Sequence, residues 1–285
     1  VTAAAQGHPE LAASNAVGGI AAQTVFLAVA DRVYRKANLE HAAASDENML
    51  QGALLIALLA GTLLAAFSPE FVLFGVHPVS FLILLAYGFG QRLVYTAKGK
   101  RMWQPRITEY TQREGDSASD DSSAANEGSM PALWVKFAVA AAAIAVLGYI
   151  LARSGVTIAQ ATGLSETTIG GVFTAISTSF PELVTAIAAV RLGALTLAVA
   201  DIMGGNAFDV IFLAVADVAY RDGSVYHAMG SRPVFLILLT ILLTSILLLG
   251  LIRREKHGIA NIGFESFLLF LVYVGGFLLI VTVMS

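Results

Sequence analysis

The residue best placed to do chemistry is Glu182, which lies in an apolar stretch long enough to cross a membrane. A carboxylate in the hydrocarbon of a bilayer is costly, so such a residue is paired, hydrated or functional. Pro181, directly before it, removes a backbone donor and frees carbonyl groups near Ser177 and Thr178. Carboxylates, hydroxyls and carbonyls are the ligands that hard cations such as calcium and sodium prefer. We therefore predict a cation site, with a kinked helix whose Glu182 is hydrogen-bonded to a neighbour as the alternative.

A second polar group lies in the next predicted helix, within ADIMGGNAFDV, Ala200–Val210. Gly204–Gly205 lets another helix approach closely. Asn206 and Asp209 are three positions apart and share a helix face. They lie at about the depth of Glu182, and two neighbouring acids in a membrane are costly unless a cation lies between them. The pattern favours one site built from both helices.

The chain contains nearly the same segment twice. FLAVADRVYR (Phe26–Arg35) and FLAVADVAYR (Phe212–Arg221) are identical at eight of ten positions and lie 186 residues apart. The same offset relates several other segments: Gly18–Gly19 with Gly204–Gly205, His41 with His227, and Ser80–Gly90 with Ser266–Gly276. Because the register holds without a gap, we predict an internal duplication.

Composition indicates an integral, multi-pass membrane protein, since 57% of the residues are hydrophobic and 13% are charged. Apolar blocks of membrane-spanning length predict helices in two groups. The first group covers 10–35, 49–67 and 75–96, and the second covers 132–152, 165–190, 195–220, 232–252 and 263–283. No cysteine is present, so disulfides and thiolate metal sites are excluded.

These spans predict an all-α transmembrane fold built from two repeats of five helices, of which about eight helices are present. Residues 1–96 form the first repeat, which lacks its first helix and most of the second, about 55 residues ahead of Val1. Residues 97–130 form a polar linker, and residues 131–285 form the complete second repeat. The acidic, low-complexity segment Gly115–Ser129 predicts disorder in the linker.

The positive charges predict the orientation. With the linker in the cytoplasm, fourteen of the seventeen Lys and Arg residues lie on the cytoplasmic side, and Arg153, Arg221 and Arg232 lie outside. Five helices per repeat then make the second repeat enter the membrane opposite to the first. This inverted-topology repeat is a common plan for secondary transporters, whose substrate site lies near the midplane.

Other polar residues favour structural roles. Ser165 is a predicted helix N-cap, and Glu166 follows it in the first turn, where the helix dipole favours an acid. Asp31 and Asp217 precede Arg35 and Arg221 by four residues, which predicts ion pairs along a helix. Asp201 either lines the access path to the site or is simply solvated. The five histidines form no metal-binding pattern; His41 and His227 fall in interfacial loops.

At the two predicted site segments the chain resembles the cation/calcium antiporter superfamily, which includes the sodium/calcium exchangers. The repeats of that family carry G-T-S-x-P-E on one helix and G-S-N-x-x-N on the next. Here Ser177–Glu182 reads STSFPE and Gly204–Asp209 reads GGNAFD. In the first repeat, GGIAAQ places Ile20 and Gln23 where Asn206 and Asp209 stand.

The resemblance implies that Thr178, Ser179 and Glu182 are cation ligands, with Asn206 opposite. The whole predicted cation site comprises Ala175, Ser177, Thr178, Ser179, Glu182, Asn206 and Asp209. The family pattern differs from this chain at Ser177, Gly205 and Asp209.

The predicted function is a secondary active cation antiporter, exchanging calcium against sodium by alternating access. The alternatives are calcium/proton exchange, with Glu182 and Asp209 as proton carriers, and a degenerate, non-transporting protein of the same fold; a channel is disfavoured. No enzyme activity, cofactor or nucleic-acid partner is expected, and no G-x-x-x-x-G-K-[ST] nucleotide motif occurs. The expected partners are calcium, sodium and the lipid of the plasma (inner) membrane, and a monomer is expected.

Overall fold

The computed structural model describes residues 1–34, 37–97, 130–255 and 263–284. In these ranges the secondary structure is helical apart from one isolated β-bridge. The helices, in chain order, are α1 Thr2–Ala5, α2 Pro9–Tyr34, α3 Leu39–Ala42, α4 Asp46–Phe67, α5 Pro78–Ala97, α6 Met130–Thr162, α7 Glu166–Thr168, a π-helical segment Ile169–Thr174, α8 Ala175–Arg191, α9 Leu195–Asp209, α10 Ile211–Ala219, α11 Val225–Ala228, α12 Ser231–Arg253 and α13 Phe264–Thr282.

Eight helices in the described ranges are long and apolar enough to cross a membrane. They are Pro9–Tyr34, Asp46–Phe67, Pro78–Ala97, Trp134–Thr162, Glu166–Arg191, Leu195–Ala219, Ser231–Arg253 and Phe264–Thr282. Each overlaps one predicted span, so the prediction of an all-α transmembrane fold is confirmed. Nearly all of the predicted linker, 97–130, lies outside the described residues.

Helix α2 lies at the centre of the bundle, where it packs against α8, the π-helical segment, α9, α12 and α13. Small residues permit this close packing. A methyl carbon added at Gly18 would lie 2.5 Å from the Cα atom of Gly171, and one added at Gly170 would lie 2.8 Å from the carbonyl oxygen of Leu11. The backbones of α2 and the π-helical segment are therefore in direct contact, as is usual at small-residue interfaces in membranes.

Three helices differ from the sequence-based expectation. Helix α6 continues to Thr162, ten residues beyond the predicted end at 152, and stops where Gly163 adopts a left-handed φ of 72°. The predicted helix 165–190 begins with α7 and contains the π-helical segment. The predicted helix 195–220 is interrupted at Val210, which keeps helical backbone angles (φ −61°, ψ −28°), so α9 and α10 still form one span.

The predicted N-terminal cap is confirmed. The hydroxyl oxygen of Ser165 accepts a hydrogen bond of 3.1 Å from the backbone N–H of Thr168. Glu166 has a specific partner as well, because its Oε1 lies 2.6 Å from Nδ1 of His8. This contact joins the start of α7 to the residue before α2.

The predicted ion pair between Asp217 and Arg221 is wrong. Asp217 is completely buried, whereas Arg221 is exposed. The Asp217 carboxylate faces inward, where Oδ1 accepts from the backbone N–H of Val225 (2.9 Å) and Oδ2 from that of His77 (2.8 Å). Backbone donors at helix starts need an acceptor when they are buried, and the carboxylate satisfies two of them.

Asp31 accepts hydrogen bonds from two backbone N–H groups in the same way, at the opposite end of the helix bundle. Its Oδ1 accepts from the backbone N–H of Leu39 (2.6 Å) and its Oδ2 from that of Gly263 (3.0 Å). The partner predicted for it, Arg35, lies outside the described residues. Asp31, Leu39 and Gly263 occupy positions 186 residues from Asp217, Val225 and His77, so the two clusters are matched residue for residue.

Two further pairs of contacts are related by the same offset of 186 residues. A histidine nitrogen contacts a backbone carbonyl oxygen at 2.7 Å in both clusters: His41 Nδ1 with Arg254, and His227 Nε2 with Ser68. Two side chains meet in each cluster: Ser266 donates to Glu40 Oε1 (2.6 Å), and the hydroxyls of Ser80 and Tyr226 lie 2.9 Å apart.

The carboxyl of Glu40 therefore occupies the position that a neutral phenol occupies in the other cluster. Its Oε2 is buried and has no hydrogen-bond partner. Burial, together with the nearby charge of Asp31, raises the pKa of Glu40 to about 7. Glu40 belongs to the short helix α3, outside the membrane-spanning helices.

Candidate functional site

The predicted cation ligands lie where α8 and α9 meet the middle of α2. Gly19 of α2 allows this approach, because a methyl carbon added there would lie 3.2 Å from Oγ of Ser179. Ser179 is buried, and Glu182 follows it by one turn of α8. The contact therefore places the acidic segment of α8 directly against α2.

Gln23 joins the three helices. Its Nε2 donates to Oγ of Ser179 (3.3 Å) and to Oδ2 of Asp209 (3.2 Å). One amide nitrogen thus brings a ligand predicted on α8 and one predicted on α9 to the same point. Gln23 is also the residue that the 186-residue offset aligns with Asp209, so equivalent positions of the two halves contact each other here.

Asn206 lies beside this group and is almost completely buried. Its Nδ2 donates to Oγ1 of Thr24 (3.1 Å) and approaches the carbonyl oxygen of Ile20 at 3.4 Å. Its Oδ1 is buried without a hydrogen-bond partner. The amide is therefore fixed by its nitrogen, which leaves its oxygen available as a ligand.

Glu182 contributes the second oxygen of this kind. Its Oε2 is buried and has no hydrogen-bond partner, which does not support the alternative of a carboxylate satisfied by a neighbour. A buried, unpaired carboxylate oxygen is unfavourable unless it binds a proton or a cation. Toward the end of α8, Thr185 donates to the Glu182 carbonyl oxygen (3.0 Å) and approaches Oδ2 of Asp201 at 3.4 Å. Asp201 is exposed, one turn or more from the buried group.

The remaining predicted ligands bond within their own helix. The Thr178 hydroxyl donates to the carbonyl oxygens of Thr174 (2.9 Å) and Ala175 (3.1 Å), and the Ser177 hydroxyl donates to Phe173 (2.7 Å). Thr178 and Ser177 are exposed. The hydrogen bonds found among the described residues join neither of them to α2 or α9, whereas Ala175 is completely buried.

Both helices that carry the predicted ligands are irregular near the site. The π-helical segment ends directly before Ala175, Pro181 interrupts the hydrogen bonding of α8, and α9 ends at Asp209. π-Helical segments occur frequently at functional sites. Such irregular backbone is tolerated at membrane depth where protein or a polar cavity surrounds it.

The chemistry of the donor set fits hard cations. The buried group offers carboxylate oxygens from Glu182 and Asp209, the amide oxygen of Asn206 and the hydroxyl of Ser179. Among the described residues no group of three or more His, Asp or Glu is placed to hold a metal ion. A set with two acids and neutral oxygens suits sodium or calcium, whereas imidazole and thiolate sites suit transition metals.

Two residues of this group were not predicted as contributors. Gln23 was noted as a neutral replacement for the acid, but its bridging bonds were not expected. Thr24 was missed; the signal in the sequence is a hydroxyl beside Gln23 within an apolar part of α2. Its Oγ1 donates to the Ile20 carbonyl oxygen (2.8 Å) and accepts from Asn206, so it holds the Asn206 amide in position.

Comparisons with known proteins bear on the family to which the chain belongs. A family model described as sodium/calcium exchanger protein matches residues 132–283, just over half of the chain. The inner membrane protein YrbG of Escherichia coli (strain K12) is 29% identical over 121 residues, which cover 42% of this chain and 37% of that protein. The chain therefore matches little more than a third of the length of this relative. No solved structure gives a significant match.

Proposed function

Because the chain belongs to the sodium/calcium exchanger protein family, we propose that it is a secondary active cation antiporter whose ions bind between α2, α8 and α9. The observation that carries this proposal is the pair of buried oxygens without partners, Glu182 Oε2 and Asn206 Oδ1. Both belong to residues that the family motifs of this chain predict as ligands. The proposed protein is accordingly a transporter, and we propose no enzyme activity for it.

We propose calcium and sodium as the exchanged ions. Glu182 and Asp209 can together supply two negative charges, which one calcium ion or two sodium ions would neutralise. The two kinds of ion would then compete for the same oxygens, which is the requirement for exchange. Proton binding to the same carboxylates is the competing mechanism, and it requires no further ligand.

Gln23 gives the site a cation-free state that is internally satisfied. Its Nε2 donates to Ser179 and Asp209, the two residues between which a cation would bind. A cation that uses both as ligands replaces this donor. Rotation of the amide then presents the oxygen of Gln23 to the cation, so the same side chain serves both states.

We further propose that residues 1–96 and 131–285 are inverted copies that alternate access to the site. The matched clusters around Asp31 and Asp217 support this proposal, and so do the contacts of Gln23 with Asp209 and of Ile20 with Asn206. A site at the contact between equivalent positions is expected for inverted-repeat transporters. We place the linker in the cytoplasm, because the distribution of Lys and Arg favours this orientation. We place the protein in the plasma (inner) membrane, by analogy with the inner membrane protein that it resembles.

The test is calcium flux into proteoliposomes that contain the full-length protein, driven either by a sodium gradient or by a pH gradient. Glu182→Gln keeps the size and hydrogen bonding of the side chain but removes its charge, so flux should be nearly lost while the protein still folds. Glu166→Gln is the matched control, because Glu166 contacts His8 outside the site. Wild-type flux in Glu182→Gln would refute the proposed site. Flux driven by the pH gradient alone would favour proton exchange.

A further inference from the structure

The connection between α4 and α5 contains a short hairpin that the transport site does not use. The backbone N–H of Leu73 donates to the carbonyl oxygen of Val76 (2.8 Å), and Val76 donates back to Leu73 (3.1 Å). The two residues at the turn, Phe74 and Gly75, have φ angles of 53° and 79°. We refer to residues 71–76 as the Phe74 hairpin.

The Phe74 hairpin exposes apolar side chains, whereas a turn that lies in water ordinarily exposes polar ones. Phe71, Val72, Leu73 and Phe74 are 59%, 41%, 45% and 92% exposed. Tight turns with two positive φ angles ordinarily carry Asn, Asp or Gly at both turn positions. A bulky aromatic residue in the left-handed region is an outlier. The tip therefore combines an unfavourable backbone with an exposed ring, a combination that is unfavourable in water.

Both ends of the hairpin are fixed to the rest of the molecule. The carbonyl oxygen of Ser68 contacts Nε2 of His227 (2.7 Å), and the backbone N–H of His77 donates to Asp217 (2.8 Å). Val76 and His77 are buried. The exposed tip thus projects from a base that α10 and α11 hold in place, and it is not the middle of a free loop.

The exposed apolar surface continues from the hairpin onto the adjoining membrane helices. At the end of α4, Leu64 and Phe67 are 72% and 76% exposed, and in the first turns of α5 Leu82 and Leu85 are 59% and 70% exposed. Both helices are among the eight candidate membrane spans, so lipid is the surrounding that suits these exposed side chains. The hairpin extends this lipid-facing surface beyond the ends of the helices.

We propose that the Phe74 hairpin inserts into the interface of the lipid bilayer, with the Phe74 ring below the level of the headgroups. Burial of apolar side chains at the boundary between headgroups and acyl chains is the usual mode of interfacial attachment. The acid at the base of the hairpin, Glu70, is exposed and lies beside Gly223, so it can remain in water. Through its fixed base the hairpin sets the depth of α10 and α11 as well as that of α4 and α5.

The experiment uses the absence of cysteine from the chain. A nitroxide is attached to Phe74→Cys, and in a separate sample to Asp222→Cys, in full-length protein reconstituted into phosphatidylcholine vesicles. Asp222 is the matched control, because it is exposed and adjoins Gly223 at the same end of the bundle. Collision of each label with oxygen, which concentrates in lipid, and with a water-soluble nickel chelate gives its depth.

The label at position 74 should lie about 5–10 Å below the phosphates, as apolar interfacial segments do. Its collisions with the nickel chelate should be several-fold fewer than those of the label at position 222, and its collisions with oxygen several-fold more frequent. Equal exposure of both labels to the nickel chelate would overturn the proposal. Spectral broadening at position 74 that increases with the protein-to-lipid ratio would also overturn it, because it would show contact with a second copy. A label at Val72→Cys checks the result without altering the turn.

Discussion

Asp217→Asn should destabilise the fold strongly, although Asp217 lies away from the proposed site. Each of its oxygens accepts two hydrogen bonds: Oδ1 from Ser224 (2.9 Å) and Val225 (2.9 Å), and Oδ2 from His77 (2.8 Å) and Ser80 (2.8 Å). Asparagine replaces one oxygen with an NH₂ group, so two buried donors lose their acceptor whichever way the amide turns. At about 1–3 kcal/mol for each unsatisfied buried group, and with the serine hydroxyl free to rotate, the expected loss is about 3 kcal/mol.

Thermal unfolding of the purified protein in detergent measures this loss. A change of about 3 kcal/mol corresponds to a decrease in midpoint of about 6–12 °C for a chain of this size class. Arg221→Gln is the control, because an ion pair along the helix would make it equally harmful, whereas the structure leaves Arg221 exposed. An unchanged midpoint for Asp217→Asn, or an equal decrease for both variants, would refute the reasoning.

Three other predictions follow from the packing, the Glu40 carboxyl and the site. Gly18→Ala should lower the unfolding midpoint, because overpacking costs about 1–3 kcal/mol, whereas Gly205→Ala, where no atom lies within 4 Å of an added methyl carbon, should not; the reverse order would contradict the contact of α2 with the π-helical segment. The pKa of Glu40 is raised to about 7 from 4.5, so its contribution to stability is fully present below pH 4.5 and is lost as the pH rises to about 7. The unfolding midpoint should fall over this pH range by an amount equivalent to about 3 kcal/mol, and Glu40→Gln should abolish the fall. A pH profile of the variant that equals that of the wild type would contradict this prediction. Asp209→Asn should strongly weaken calcium binding, measured from the calcium dependence of flux, and Gln23→Ala should weaken it only mildly. The reason is that Gln23→Ala removes a ligand oxygen and a competing hydrogen-bond donor together. Equal losses of binding in the two variants would contradict this difference.

The sequence predicted the spans well because membrane helices are encoded locally. An apolar block of sufficient length has to form a helix in lipid, and all eight predicted spans correspond to helices of the structure. The end of α6 was predicted ten residues too early, because the helix continues through Arg153 and Gly155 and stops only at Gly163. The π-helical segment could not be predicted, because it depends on the contact of Gly170 and Gly171 with the distant residues Leu11 and Ser14.

The site shows the same division between local and distant information. The motifs predict Ser179, Glu182, Asn206 and Asp209 as ligands, and the family resemblance that they indicated is confirmed. The bonds that organise these residues were not visible, since Gln23 contacts partners 156 and 186 residues away. Asp217 was assigned to its neighbour Arg221 for the same reason: sequence spacing suggests an ion pair along one helix, while burial directs the carboxylate toward backbone N–H groups of other elements.

The matched clusters also bear on the order in which the chain is assembled during synthesis. Asp31 and Gly263, whose backbone N–H donates to the Asp31 carboxylate, are separated by 232 residues, and Glu10 and its donor Gly230 by 220 residues. The first half therefore leaves the ribosome and enters the membrane long before these partners exist. Oδ2 of Asp31 lacks its backbone donor until the start of α13 arrives, so this cluster closes only when the last helices are inserted. Two halves produced as separate polypeptides would carry the complementary groups that this late step joins.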